Sequence, residues 1–313
     1  MTSKKIFAAI SGILFFAFLQ QPVFADNSGS ASLQVSPVQQ KIEITPGTTY
    51  HGIFSVQNVG SSALEYSLSV SPYQVINENY DPDFSTINTY TQIANWITFD
   101  YTTGTLEPGT NVDIPYTIDV PADAPESGQY AILMASSNDY ARSNSAGANI
   151  SVVGAVGTIL YAHVSGETHE SGSLLKNDVD FLSIGSPITA TAIVQNSGNI
   201  DFETTSTLKI TRLLNGYTVY DNSETPSVQN VIPESSRLLI NTWEDTPKLG
   251  LFKVSQTISF LDQSYTTEKI VFACPVWLII AVAVIICLVL ILAAMTIVSH
   301  LHRHHSIKFS SIR

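Results

Sequence analysis

Hydrophobic and polar positions fall into three regimes along this chain. Two apolar runs, Ile6 to Leu19 and Val276 to Val298, bracket a long middle in which apolar and polar residues tend to trade places at every second position. Within that middle, Leu33 to Ile44, Tyr50 to Asn58, Leu64 to Val70, Val112 to Val120 and Tyr130 to Ala135 are rich in Val, Ile, Tyr, Thr and Ser, and Tyr66-Ser67-Leu68-Ser69-Val70 alternates throughout. A period of two puts one set of side chains on each face of an extended chain, so these stretches predict half-buried strands. Pro46-Gly47, Val59-Gly60-Ser61, Pro108-Gly109 and Ser127-Gly128 separate them as turns. No part of the middle carries a 3.6-residue period. Strands at short spacing without intervening helices predict an all-β class built as sandwiches.

An ordered set of three features occurs twice, about 120 to 140 residues apart. Val56-Gln57-Asn58-Val59-Gly60 returns as Val194-Gln195-Asn196-Ser197-Gly198, and Leu106-Glu107-Pro108-Gly109 has a counterpart in Ile232-Pro233-Glu234-Ser235. Pro125 to Tyr130 and Pro247 to Phe252 share a Pro-x-x-Gly-x-aromatic spacing. Asn-x-Gly suits a turn with positive φ, and a glycine before an aromatic lets a strand begin close to the opposite sheet, with the ring then filling the core. The repeat predicts two related sandwiches, 26–165 and 166–273, divided in the polar stretch Ser165 to Ser173.

The apolar ends differ in kind. Lys4 and Lys5 precede the first run and Val23-Phe24-Ala25 follows it, the layout of a cleaved signal peptide over 1–25. The second run has 23 residues, apolar except Thr296, and at 1.5 Å per residue spans roughly 35 Å, enough for a membrane helix, assigned here to 274–299. The 300–313 tail carries Arg303, Lys308 and Arg313 and no acid, which places it on the cytoplasmic side and the rest outside.

All 26 acidic residues lie between Asp26 and Glu268, and 26–273 holds nine Lys and Arg, a net of −17. Such a surface repels nucleic acid. The two cysteines, Cys274 and Cys287, both lie at or within the membrane segment, so a region of almost 250 exported residues is expected to fold without a disulfide. That pattern points to a bacterial cell surface.

Catalytic signatures are lacking. His51, His163 and His169 are the histidines of the exported region, none beside a Gly-x-Ser-x-Gly elbow, and there is no His-Glu-x-x-His. His51 and His163 read as strand residues, and a non-enzyme is expected, with no cofactor. One loop, Asn77 to Asp83, offers five oxygen-bearing side chains in seven residues, a candidate calcium loop without EF-hand spacing. The longest interruption of the strand pattern, Tyr73 to Tyr101, holds seven aromatics. It reads either as the closure of a sandwich end or as a recognition surface, with Tyr80, Phe84 and Tyr90 as the candidate partner-binding residues. Tyr80 and Tyr90 are expected to be exposed and Phe84 intermediate.

Thr45-Pro46-Gly47 with Val56-Gln57-Asn58, Pro125 to Tyr130, Val194 to Asn199, Val231 to Arg237 and Trp243, in this arrangement, resemble the WxL-interacting protein family of Gram-positive bacteria. The resemblance implies two tandem immunoglobulin-like β-sandwiches, one C-terminal membrane helix and a short basic tail. It also implies contact of the first domain with peptidoglycan and of the second with a partner surface protein. The opening departs from the family, since Val35 to Lys41 runs almost directly into the Pro-Gly turn. Two functional classes fit this reading: a non-catalytic envelope protein binding a wall polymer or surface protein in adhesion or scaffolding, and an accessory or sensor subunit of a membrane complex.

Overall fold

The computed structural model describes residues 32–137, 154–185, 187–245 and 249–310. The expected signal peptide, 1–25, lies outside the described residues. The chain is all-β: two tandem immunoglobulin-like β-sandwiches followed by one long helix.

The first sandwich is made of β1 (Leu33–Ser36), β2 (Gln39–Ile44), β3 (Thr49–Asn58), β4 (Leu64–Pro72), β5 (Gln74–Val75), β6 (Pro82–Asp83), β7 (Ile97–Phe99), β8 (Thr103–Leu106), β9 (Asn111–Asp119), β10 (Gly128–Ser137) and β11 (Gly154–Val164). A four-stranded sheet ordered β1-β3-β9-β7 faces a five-stranded sheet ordered β2-β11-β10-β4-β8, with β5 and β6 paired apart. Leu33 to Ile44, expected as one strand, is two. β1 runs antiparallel to β3, while β2 runs parallel to β11 in the other sheet. The chain changes sheets at Pro37, which has no N–H to give to a ladder.

The second sandwich contains β12 (Gly172–Val179), β13 (Leu182–Ile184), β14 (Ile188–Asn196), β15 (Phe202–Arg212), β16 (Thr218–Asp221), β17 (Ser227–Val231), β18 (Ser236–Trp243), β19 (Gly250–Phe260) and β20 (Gln263–Cys274). One sheet is β12-β14-β18; the other is β13-β20-β19-β15-β16, with β17 also on β15. The opening repeats the first sandwich: β12 pairs antiparallel in one sheet, then β13 runs parallel to β20 in the other.

The recurring Asn explains the sequence repeat. Asn58 is fully buried; its Nδ2 donates to the carbonyls of Ser62 (2.8 Å) and Leu106 (3.0 Å), and its Oδ1 accepts from Gly60 N (2.9 Å). Asn196 does the same with Ile200 (2.8 Å), Val231 (2.7 Å) and Gly198 N (2.8 Å). Their backbone N–H groups reach Thr110 O (3.0 Å) and Ser235 O (2.9 Å). These bonds align Leu106 with Val231 and Pro108 with Pro233, one residue from the match read in the sequence. They also align Gly109, at φ 74°, with Glu234, at φ 56°. Asn58→Ala or Asn196→Ala strands three buried polar groups, so either should cost about 2–3 kcal/mol, read as a lower urea midpoint at unchanged slope.

The first core is one cluster, with Phe54, Val56, Leu64, Ile93, Ile114, Tyr116, Leu133 and Leu160 at its centre. The second is divided. A polar layer of Ser206, Asn241 and Gln256 separates Ile188, Ile210 and Val254 from Val194, Phe202 and Ile258. Ser206 Oγ lies 3.3 Å from Asn241 Oδ1, and the Gln256 amide finds no protein partner.

Beyond β20 the helix begins at once. It runs Val276–Ser310, and Val276–Val298 is a candidate membrane span, of mean hydropathy 3.4, with no residue of its most apolar stretch buried in the protein. Cys274, expected at the edge of that span, belongs to the sandwich. It is 1% exposed at the end of β20, and its carbonyl accepts from Gly185 N at 3.0 Å. Cys287, on the helix, is exposed, and both thiols are free.

Candidate functional site: the junction between the sandwiches

Where two sandwiches meet, the outer face of β10 is covered. Along most strands burial alternates, but Gly128 to Leu133 are buried without a break, the mark of a strand enclosed on both faces. The cover is the aromatic-rich excursion 73–101 together with one end of the second sandwich. Tyr73 N donates to Tyr130 O (3.2 Å), Tyr130 N to Tyr90 O (2.7 Å), and Gln129 Nε2 to Thr89 O (2.6 Å). A 3-10 turn at Gln92–Asn95 then drops Ile93 into the first core before β7. The excursion is a structured strap, with Ile97 buried in the first core and Trp96 packed against it.

Tyr73, Tyr130, Ile132 and Tyr161 of the first sandwich and Ile232 of the second form one buried cluster. Tyr130 meets Tyr161 edge-on at 5.6 Å, and Tyr73 meets Tyr161 at 6.5 Å. Such ring contacts add directional preference to the burial of area.

Tyr80 crosses the junction. It sits at φ 66° at the end of the Asn77–Tyr80 turn. Its hydroxyl accepts from Ile232 N at 2.7 Å and lies 3.2 Å from Ser235 Oγ. The Arg237 guanidinium stands 3.8 Å above the ring, a cation–π contact, and Leu238 N donates to Glu78 O at 2.7 Å. Burial raises the Tyr80 pKa. Tyr90 is half-buried; burial, then the Glu234 carboxylate that its hydroxyl faces, raises its pKa. Tyr80 and Glu234, both non-glycine residues at positive φ, thus lie on opposite sides of one contact. Strain of that kind is held only where surrounding contacts over-determine it.

The exposure expected for Tyr80 and Tyr90 is therefore corrected: both are engaged by the second sandwich. Phe84 alone keeps a substantial open face, at 39% exposure, with its ring 6.3 Å from Tyr73.

A second set of contacts surrounds Asp201. Its side chain is almost wholly buried, and Oδ1 accepts from Tyr130 Oη (2.9 Å) and from His163 Nε2 (2.8 Å). The other ring nitrogen of His163 lies 3.3 Å from Glu43 Oε1. The hydrogen bond to Asp201 raises the His163 pKa above its ordinary 6.5, with burial opposing. Burial, then Asp201, holds the Tyr130 phenol well above 10. Lys41 reaches Glu203 (2.5 Å) and Asn230 Oδ1 (3.0 Å), a more exposed pair of lesser weight. Gly128 N donates to Asn199 O at 2.8 Å, and a Cβ on Gly128 would fall 2.0 Å from Tyr130 Oη. The Gly-x-aromatic spacing thus has two uses, since Phe252 fills the second core while Tyr130 fills the junction.

Asp201, Arg237 and Asn199 carry the junction; sequence reasoning passed over Asp201 and named Asn199 and Arg237 only as the ends of motifs, with no role across a junction. His163 is a strand residue, as read, but also the partner of Asp201. Nothing local marks these positions, because each partner across the junction lies 38 or more residues away in sequence. The one usable signal was the continuous apolar run after Gly128.

In the candidate calcium loop, Asp81 and Asp83 accept hydrogen bonds from neighbouring side chains. Asn77 Nδ2 donates to Asp81 Oδ2 (2.8 Å), Gln74 Nε2 to Asp83 Oδ2 (3.0 Å), and Ser85 donates to Asp83 Oδ1 through its hydroxyl (2.6 Å) and its N–H (2.9 Å). The Ser85 and Thr86 hydroxyls hold the Asp83 carboxyl well below the usual range. Among the described residues, no three His, Cys, Asp or Glu side chains group to hold a metal ion.

No protein-family model matches the chain, and no curated protein does. Solved structures are similar at low identity. A class 5 fimbriae chaperone, CfaA, matches at 11% identity over 77% of this chain and 99% of its own, with a TM-score of 0.36. The CsuC–CsuE chaperone–tip adhesion subunit complex of Acinetobacter baumannii matches at 12% over 76% and 98%, with a TM-score of 0.38. The E. coli chaperone DraB matches at 12% over 78% and 98%, with a TM-score of 0.36. Scores of this size carry no argument about function, and the fold stated above rests on the strand pairing of this chain.

Proposed function

We propose that this chain is a non-catalytic, membrane-anchored bacterial cell-surface protein that binds an envelope partner, a wall polymer or a surface protein, in adhesion or scaffolding. The observation that supports the reading is the passage from β20 through Cys274 and Pro275 directly into an exposed apolar helix long enough to cross a membrane. The titratable groups that do converge, Tyr130, Asp201 and His163, spend their hydrogen bonds on holding the sandwiches together, which suits a scaffold. With Tyr80 and Tyr90 engaged, the partner surface is assigned to the open side of the strap, where Phe84 stands exposed with Ile76 and Ile87. The motifs shared with WxL-interacting proteins support the same class.

Capture from solubilised membranes tests this. The full chain should recover an exported surface protein or wall glycan, and Phe84→Ala with Ile87→Ala should abolish recovery while leaving the melting temperature within a few degrees. Recovery of integral membrane subunits, equally well by a chain reduced to 274–313, would favour the accessory-subunit reading instead. A captured protein bearing Trp-x-Leu motifs would tie the chain to the family it resembles.

A further inference from the structure

The second sandwich carries an unpartnered apolar patch at the end from which the helix leaves. On the outer face of its larger sheet, Phe272 of β20 pairs with Leu251 of β19 and with Leu182 of β13. Leu213 extends the row, its N–H donating to Leu251 O at 2.9 Å. Phe181, whose carbonyl accepts from Phe272 N at 2.8 Å, is 73% exposed, and Leu214, in the turn after β15, is 92% exposed. Tyr217 stands on the same turn, 66% exposed.

These side chains share one level. Phe272 lies two residues before Cys274, and β13, β20, β19 and β15 are consecutive neighbours about 4.8 Å apart. Higher on the same face the character changes. Ile270 pairs with Lys253, and above them Lys253 bridges Glu268 (2.8 Å) and Lys209 bridges Asp221 (3.1 Å). An apolar rim below a belt of charge is the pattern of a surface seated at a lipid–water boundary.

The start of the helix fixes which boundary that is. No linker lifts the sandwich: Gly185 N holds Cys274 O, Leu278 N holds Pro275 O (3.0 Å), and Val276 packs against Gly185. Trp277, 66% exposed in the first turn, suits the headgroup layer. The 23-residue span, roughly 35 Å long, covers a hydrocarbon thickness of about 30 Å with some tilt, and it starts within two residues of the sandwich.

We propose that this patch, centred on Phe181, Leu214, Leu251 and Phe272, is a second membrane contact that seats the second sandwich in the outer-leaflet interface. It rests on the membrane-anchor reading above. The occupant is lipid, since the patch is continuous with the helix that enters the bilayer. Glu244 and Asp245 lie at the same end, so the contact is apolar rather than a site for anionic headgroups.

The full chain in lipid nanodiscs tests it through nitroxide labels. Native Cys287 reports the span; Leu214→Cys, Phe181→Cys and Gln263→Cys, each in a Cys287→Ala background, report the patch and, at the opposite end, bulk water. Cys274 is buried, and the labelled positions are outside the core. The ratio of oxygen to nickel-chelate accessibility at 214 and 181 should exceed that at 263 several-fold and approach that at 287. Equality of 181, 214 and 263 with a lipid value at 287 would overturn the patch and leave the anchor standing. An aqueous value at 287 would overturn the anchor and the patch together. Spin–spin broadening at 214 that vanishes on dilution with unlabelled chain would mean that a second copy covers the patch, and would overturn lipid as its occupant.

Discussion

Asp201→Ala should remove about 3 kcal/mol and split one cooperative melt into two. Asp201 is the acceptor for two groups of the first sandwich, Tyr130 Oη and His163 Nε2, and its own side chain is almost wholly buried. Truncation leaves a buried phenol without an acceptor and a histidine whose imidazolium has lost its nearer carboxylate. The damage falls on the junction rather than on either core, so calorimetry of the full chain in nanodiscs should resolve the two sandwiches as separate transitions. A single transition at an unchanged temperature would show that the network contributes nothing.

The pH dependence carries a defined sign. The folded-state pKa of His163 is raised above 6.5, so its contribution is fully present below that value and fades as pH rises through the folded pKa. Asp201→Asn keeps an acceptor for Tyr130 but removes the charge. Its loss of stability should therefore be larger at about pH 5.5 than at about pH 8.5. Glu43, the second carboxylate at the ring, limits the effect, and Lys41 opposes it.

Tyr80→Ala should cost about 2–3 kcal/mol, less than a fully buried aromatic because the ring is only half-buried. The ring carries the Arg237 contact, and the hydroxyl satisfies Ile232 N. Tyr80→Phe should lose about 1–2 kcal/mol, the cost of an unpaired buried N–H. A double-mutant cycle with Arg237→Ala isolates the cation–π term, expected at about 1 kcal/mol. A melting temperature unmoved by Tyr80→Ala would return Tyr80 to the class of free recognition residues. Phe84→Ala, in contrast, should barely move it.

The period-2 alternation from Leu64 to Val70 and from Val112 to Val120 determined strands by itself, because a half-buried strand needs only its own two faces to be specified. The recurrence of Asn58 and Asn196 was legible, but its use was not: Gly60 and Gly198 are not at positive φ, and each Asn is instead buried as a side-chain clamp on the residues two and four ahead. The apolar run Val276 to Val298 declared its helix because its single polar residue, Thr296, can bond its hydroxyl back to the Ala293 carbonyl within the helix.

Tertiary structure decided the rest. The stretch Leu33 to Ile44 looked continuous, and only pairing with β3 and β11 divided it. The composition of residues 73–101 fitted both a sandwich closure and a recognition surface, and only the tertiary structure shows them folded against β10. The backbone of Tyr130 bonds Tyr73 and Tyr90, and the Gln129 amide bonds Thr89. Nothing in the sequence marked Asp201, and Arg237 stood out only as the end of a motif. Their roles come from a contact between sandwiches whose partners lie 38 to 157 residues away, where no local pattern of hydrophobic and polar positions can reach.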